Sequence, residues 1–428
     1  MVNQYNQILE KAINYRRDFH MYPETGWLEF RTTSIIAKIL SQLGYEILLG
    51  KEIINENYIM GKPNEIVIKE NIIRAINEGA DEEILKKMDN LTGVVGILDT
   101  KKEGPTVAFR FDIDALELEE PEDPNHKPYK YGYFSRHKGV MHACGHDAHA
   151  AIGLVFAEYL AKLKDELKGK VILIFQPAEE GVRGAKAMVE KGIVDDADYF
   201  FTIHIGFGST NNIGLVAKSK GFFATTKLDV TFKGKSSHAA AYPHLGKNAL
   251  LAASNALINL YAIPPNSEGQ TRINVGVLHA GNSRNIIPDK AFMQMEIRGE
   301  TDNLVAYMKN CTERIIDGSS RMYDVKYEII EVGSAISAEG SEELVPLLLE
   351  AGKELDIPDI FIEYNFNGSD DATYFIKRVQ EKGGKAIYSQ ILCPIAAPHH
   401  NNYFDFDEKA LLYGVLINLY IVKKLLTK

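Results

Sequence analysis

KVILIFQPAEEG (170–181) is a short apolar run that stops in a polar turn. A run with no polar alternation is what a strand covered on both faces requires. Three further runs share its length and character: GVVGILD (93–99), PTVAFRFD (105–112) and DYFFTIH (198–204). Helical patterns at about 148–166 and 184–191 lie between them. Strands alternating with helices predict an α/β sandwich with a largely parallel sheet.

Toward the N-terminus, Ile8, Leu9, Ala12, Ile13 and Arg16 make a 3.6-residue stripe that Pro23 ends. Ile35, Ile36, Ile39, Leu40 and Leu43 make a second, stopped at Gly44. Residues 51–90, rich in Glu, Lys, Ile and Asn, read as a helical insertion on the outside, with amphipathic runs near 64–78 and 81–89.

Toward the C-terminus the pattern changes near 220. TTKLDVTFKG (225–234) alternates with period two, as a half-exposed antiparallel strand does. A helix at about 246–260, strands at 272–281 and 291–300, a helix at about 302–317 and a strand at 324–332 follow. That succession is the order of a ferredoxin-like domain. A strand at 386–392 and a helix at 408–426 resume the first pattern. The expected architecture is two-domain α/β, with a small domain at 220–332 inserted into a large one formed by 1–219 and 333–428. No internal repeat or low-complexity tract interrupts it.

Composition narrows the function. A length of 428 residues suits two or three domains. Hydrophobic residues at 45% and charged ones at 25% are ordinary for a globular chain. A net charge of −10 disfavours a phosphate-backbone-binding face. No apolar run has the ~18 residues of a membrane span. The start, MVNQYNQILEKAINYRRDF, lacks the apolar core of a secretory signal. Three cysteines, Cys144, Cys311 and Cys393, are too few and too odd a set for a disulfide scaffold. The expectation is a cytoplasmic protein with no nucleic-acid or membrane partner.

The chemistry concentrates in four places. MHACGHDAH (141–149) sets Cys144 and His146 two apart around a glycine, so that a turn can aim both at one point. Thiolate and imidazole suit zinc and the later first-row metals. QPAEEG (176–181) puts Glu179 and Glu180 directly after a strand, where α/β sheets gather catalytic groups. One carboxylate can bind a metal while the other moves a proton. His204 ends a strand, and His399 and His400 are adjacent in PHHN (398–401). Together these supply enough N, O and S ligands for a two-metal site. The chain has no HExxH helix, no GxGxxG after a strand, no GxxxxGK[ST] loop and no GxSxG elbow.

RRDFHMYPETGWLEFRT (16–32), FDIDAL (111–116), MHACGHDAH, FQPAEEG (175–181), IHIG (203–206), SHAAAYPHLGKNAL (237–250), NIIPD (285–289) and EIRGE (296–300) occur in order across essentially the whole chain. The set resembles the amidohydrolase branch of the metallopeptidase superfamily that includes aminoacylase, carboxypeptidase G and indole-acetyl-amino-acid hydrolases. Within that branch, the insertion and the tail HHNNYFDFDE (399–408) resemble most the p-aminobenzoyl-glutamate hydrolases.

The resemblance implies a catalytic domain holding two divalent ions, zinc or manganese, and a ferredoxin-like lid that dimerises. It implies Cys144, His146, Glu180, His204 and His400 as metal ligands, with His400 preferred to His399 from the pattern HNNYF. Glu179 would be the general base and Asp114 would orient the site. His238 would stabilise the oxyanion, in its own protomer or across a dimer. Asn285 and Arg298 would contact the substrate, Arg298 through a bidentate hold on a carboxylate. The bland alternatives are a turn role for Asn285 and a strand-face salt bridge for Arg298.

Much of the wider superfamily has an aspartate in place of the cysteine and a histidine where Asp112 stands, so this chain carries the cysteine version. The expected reaction is hydrolysis of an N-acyl or N-aroyl amino acid, p-aminobenzoyl-glutamate foremost, with general N-acyl-amino-acid deacylation as the alternative. A thiol hydrolase built on Cys144 with His142 or His146, and a chain that works only with a second homologous one, are the rivals.

Overall fold

Phe200 and Phe201 are neighbours on one strand, point to opposite faces of a sheet, and are both buried. Phe201 stacks on Phe109 at 5.6 Å, and Phe109 meets Phe156 of the helix His146–Leu163 at 4.9 Å. On the other face, Phe200 stacks on Phe375 of the helix Thr373–Glu381 at 5.5 Å. Helices therefore cover both faces, which is why these strands are apolar throughout rather than alternating.

The computed structural model describes residues 2–427. In chain order the strands are β1 (Glu46–Leu49), β2 (Val94–Asp99), β3 (Thr106–Asp112), β4 (Lys170–Gln176), β5 (Tyr199–Ser209), β6 (Gly214–Lys220), β7 (Ala224–Lys233), β8 (Thr271–Ala280), β9 (Lys290–Gly299), β10 (Lys326–Ala335), β11 (Asp359–Asn365) and β12 (Lys385–Cys393). The chain forms two compact units, one of Met1–Lys220, Ala338–Phe366 and Asp371–Lys428, the other of Gly221–Ser337 and Asn367–Asp370.

The larger unit holds an eight-stranded sheet in the order β1-β2-β4-β3-β5-β12-β6-β11. The pairs β4–β3, β3–β5, β5–β12 and β6–β11 are parallel. Strands β1 and β2 run antiparallel at one edge, and β6 runs antiparallel to β12. The fold class is thus α/β with a mostly parallel sheet. Strands β1, β6 and β11 go beyond what the sequence patterns predict. The insertion forms helices Glu65–Asn77 and Glu82–Met88, capped by Asn64 and Asp81, beside the helix Phe30–Gln42.

The smaller unit has the order β10-β7-β9-β8, antiparallel throughout, with helices Ala249–Leu260 and Asp302–Met322. This is the ferredoxin-like arrangement. Leu228, Val230 and Phe232 of β7 pack with Met293 and Met295 of β9 under Ala252, Ala253, Ala256 and Met308 of the helices. Strand β8 is an edge, and Leu251, Ile258 and Tyr261 on or beside the first helix are exposed.

Candidate metal centre

Four adjacent parallel strands, β4, β3, β5 and β12, end at one edge of the larger sheet. Each delivers part of the site there, as sheets of this class do. Asp112 closes β3 and Asp114 follows it; β4 runs into the turn with Glu179 and Glu180. β5 carries His204 within the strand, which continues to Ser209 instead of ending at the histidine as the sequence suggests; β12 leads to His399 and His400. The helix His146–Leu163 starts at the same place.

Gly145, at φ 86°, is the residue before that helix. A left-handed conformation costs a side-chain-bearing residue about 1–2 kcal/mol and glycine nothing. The turn sends Cys144 and His146 into one buried space. Nδ1 of His146 donates to the carbonyl of Asp114 at 2.9 Å, and Nδ1 of His204 to that of Ile205 at 2.9 Å. Both rings thereby turn Nε2 inward, the orientation a metal-binding histidine needs. Nε2 of His146 is buried and has no hydrogen-bond partner among the described residues. Sγ of Cys144 lies 3.7 Å from Nε2 of His204.

The turn after β4 is strained and pinned. Ala178 and Val182 have φ of 54° and 58°. Such conformations cost roughly 1–3 kcal/mol each and persist only where neighbours fix them. Asp114 accepts the N–H groups of Glu179 and Glu180 at 3.1 and 2.9 Å. Glu29 accepts that of Ala178 at 2.8 Å. Asp371 accepts those of Gly184 and Ala185 at 3.0 and 2.9 Å. A Cβ on Gly184 would stand 1.8 Å from the carbonyl oxygen of Pro177, so only glycine fits. Burial, then the charge of Asp114, pushes the Glu29 carboxyl up to about 8.

Ligand-type atoms fall into overlapping groups within 4.8 Å: Asp112, His146, His149 and His204; Cys144, Glu180 and His400; His146, Glu179 and Glu180. Nε2 of His400 is 3.5 Å from Glu180, and its backbone N–H donates to Ala143 at 2.8 Å. His399 instead commits Nε2–H to the Ile205 carbonyl at 3.0 Å, its ring 4.6 Å from Phe404.

His149 and Asp112 join the centre although neither stands out for it in the sequence. Nε2 of His149 accepts the N–H of Ile205 at 2.9 Å, so Nδ1–H is left to donate to Asp112. With both nitrogens engaged, His149 orients Asp112 rather than offering a lone pair. Arg110 pairs with the other oxygen of Asp112 at 2.5 Å and donates to Gln176 at 2.8 Å. Burial works against ionising Asp112, yet Arg110, His146 and His149 hold it well below the usual carboxylate range.

The charges call for a cation. Burial, then Glu180, pushes the Cys144 thiol well up, so it stays neutral unless positive charge arrives. Burial alone would lower His146, but Asp112 and Cys144 drive it well above an ordinary imidazole. A buried imidazole nitrogen with no hydrogen-bond partner among the described residues, a thiol and several carboxylates fit divalent metal. Candidate ligand atoms of Cys144, His146, Glu180, His204 and His400 lie in these groups, with Asp112 beside His146 and His204.

The remaining sequence candidates lie in the smaller unit. Nδ1 of the exposed His238 accepts N–H groups of Ala240 and Ala241 at 3.2 and 3.0 Å, which leaves Nε2–H outward. Asn285 sits beside it, its carbonyl accepting Ala239 N–H at 3.1 Å. Arg298, on β9, makes a two-point pair with Glu296 of its own strand at 3.0 and 3.1 Å.

The family model for peptidase family M20/M25/M40 matches residues 108–424. A Haemophilus influenzae homolog of one of the subunits of p-aminobenzoyl-glutamate hydrolase is 46% identical, over 99% of this chain and 100% of that protein. The indole-3-acetyl-aspartic acid hydrolase of Enterobacter agglomerans is 44% identical, over 97% and 96%. An aminobenzoyl-glutamate utilization protein from Klebsiella pneumoniae superposes with a TM-score of 0.83 at 37% identity, over 99% of this chain and 97% of that one.

Proposed function

This chain belongs to peptidase family M20/M25/M40, and from that premise we propose that it hydrolyses the amide joining an aromatic acyl group to an acidic amino acid. Its substrate is p-aminobenzoyl-glutamate, and its products are p-aminobenzoate and glutamate. The observation that carries this reading is the convergence of Cys144, His146, Glu180, His204 and His400 around a buried space beside Glu179. The substrate class rests on the names of the two relatives, which share an aromatic acid and an acidic amino acid.

The enzyme is a metallo-amidohydrolase that takes two divalent ions, zinc or manganese. When bound, such ions bring water near the pKa needed at neutral pH and polarise an amide carbonyl. Glu179 takes the proton from the attacking water and passes it to the leaving amine. Asp114 holds the turn that aims Glu179. His238 donates Nε2–H to the oxyanion, in its own protomer or across a dimer. Asn285 contacts the substrate, and Arg298 binds its carboxylate, for which it exchanges Glu296.

The unit 221–337 with 367–370 acts as lid and dimerisation domain. Its unpaired β8 edge and exposed Leu251, Ile258 and Tyr261 support a homodimer. The H. influenzae relative is by name a homolog of one of a hydrolase's subunits, which supports a second homologous chain as a further partner. No helix among the described residues is long and apolar enough to cross a membrane. The cytoplasm is the location consistent with three free cysteines.

The test is release of p-aminobenzoate by the purified chain with added zinc or manganese, with and without chelator. Release that chelator abolishes supports the reading. Cleavage of aliphatic N-acyl amino acids in preference would replace it with general deacylation.

A further inference from the structure

Arg16 is buried completely, and its guanidinium meets carboxylates from two distant parts of the chain. Nε donates to Asp147 at 2.8 Å, Nη2 to Asp405 at 2.8 Å and Nη1 to Glu408 at 3.3 Å. Its Cζ lies 4.6 Å from the Phe406 ring centre and 5.2 Å from that of Tyr133. Asp147 directly follows His146. Asp405 and Glu408 close the loop that begins after β12 and carries His400.

We propose that Arg16 is a positioning residue for the metal centre, fixing the segment that carries Cys144 and His146 against the loop that carries His400. The inference rests on the ligand assignment above. His400 needs such a hold. It has φ 61°, the left-handed region, and its side chain is 56% exposed, so packing on the side chain does not set it. Its backbone N–H reaches Ala143 at the tip of the loop. At the root, Ala396 N–H donates to Asp405 O at 2.8 Å, and Ile395 bridges to Phe406. Arg16 ties that root to Asp147.

Stability alone gives little reason for this arrangement, because a buried ion network is commonly no better than apolar packing. What a guanidinium adds is direction: fixed donors that serve separated carboxylates at set angles, which an ammonium cannot reproduce. The neighbours reinforce it. Nδ1 of His20 meets the same Asp147 oxygen that Arg16 does, at 2.8 Å, and Arg17 takes Glu408 at 2.9 and 2.7 Å.

The test compares wild type with Arg16→Lys and Asp405→Asn, each stripped of metal and checked for folding by circular dichroism. Zinc affinity is read by competition with a chromophoric chelator, and Tm is measured alongside. Leu348→Ala, on a helix that packs on β6 and β11, serves as the control for lost stability alone. The expected result is at least tenfold weaker zinc binding at one or more sites in both variants. Leu348→Ala should keep wild-type affinity at a lowered Tm. Affinity within threefold of wild type in folded Arg16→Lys and Asp405→Asn, with only Tm reduced, overturns the inference. Wild type that binds no zinc or manganese overturns the ligand assignment itself, and the inference with it.

Discussion

The carboxylate of Asp114 accepts the backbone N–H of Glu180 at 2.9 Å. Its other oxygen takes the N–H of Glu179 at 3.1 Å and stands 3.3 Å from Nδ1 of His146. One side chain thus fixes Glu179, Glu180 and His146, the proposed base and two of the proposed metal ligands. Partners of this kind typically contribute 10–100-fold to metal affinity or activity. Asp114→Ala should weaken metal binding by about that factor and lower kcat as well. Metal titration with steady-state kinetics checks both, and unchanged values would mean that Glu29 and Asp371 hold the turn without it.

Glu179 and Glu180 are neighbours to which the proposed function gives different tasks. Both group with His146, Glu179 at 3.9 Å, and Glu180 alone of the two also groups with Cys144 and His400. Glu179→Gln keeps the shape and removes the base. It should bind metal at wild-type stoichiometry and lose kcat by a factor on the order of 10³ or more, a general acid–base loss of 10²–10⁴ being usual. Near-normal turnover in a fully metallated variant would remove Glu179 from the proton path.

Much of this is legible in the sequence because buried parallel strands and glycine turns leave local signatures. KVILIFQ and TVAFRFD are apolar throughout since both their faces are covered. β11 is not legible: it is an edge strand whose Phe361, Ile362 and Tyr364 stay exposed beside Glu363. β1, only four residues long, and β6, with its polar end AKSK, lack the pattern too. Cys144, His146, Glu180, His204 and His400 stand out by residue type and motif. Asp112 and His149 do not, because their part in the centre arises from pairing across 37 positions. The Glu296 partner of Arg298 is readable only as a general possibility of strand spacing, since residues two apart share a face.

That pair sets up a competition at Arg298. On the proposed role, a substrate carboxylate would have to displace Glu296 to gain a bidentate hold on Arg298. Arg298→Ala should raise KM by roughly 10-fold or more for substrates with a free α-carboxylate, as for loss of a charge-assisted hydrogen bond of about 1.5–3 kcal/mol. The α-amide analogue should be little affected. Equal losses on both would reduce Arg298 to a strand-face ion pair.

His20 couples stability to pH. Burial would lower its pKa, but Glu120 and Asp147, at 3.0 and 2.8 Å, outweigh that and raise it to about 9. The unfolded value is about 6.5. The folded state therefore keeps a proton between those values that the unfolded chain releases. Its contribution is complete below pH 6.5 and is lost as pH rises through about 9, a change of roughly 3 kcal/mol. Urea unfolding at pH 6 and pH 9.5 should show the fall, and His20→Asn should flatten it. An equally steep fall in the variant would assign it to other groups.

Chelation separates the metal reading from a thiol mechanism on Cys144. A nucleophilic cysteine works as thiolate, in a site that lowers its pKa. Here burial and Glu180 raise it, and Nε2 of His204 approaches Sγ at 3.7 Å as a co-ligand would. Prolonged chelator treatment should abolish hydrolysis, and zinc or manganese should restore it. Because bound metal stabilises the folded state in proportion to the logarithm of its excess over the dissociation constant, about 4 kcal/mol at a thousandfold excess, the stripped protein should also melt at a lower temperature. Cys144→Ser should weaken metal binding and recover part of its activity when metal is raised. Full hydrolysis by stripped protein, with none by Cys144→Ser at any metal concentration, would transfer the reaction to the thiol.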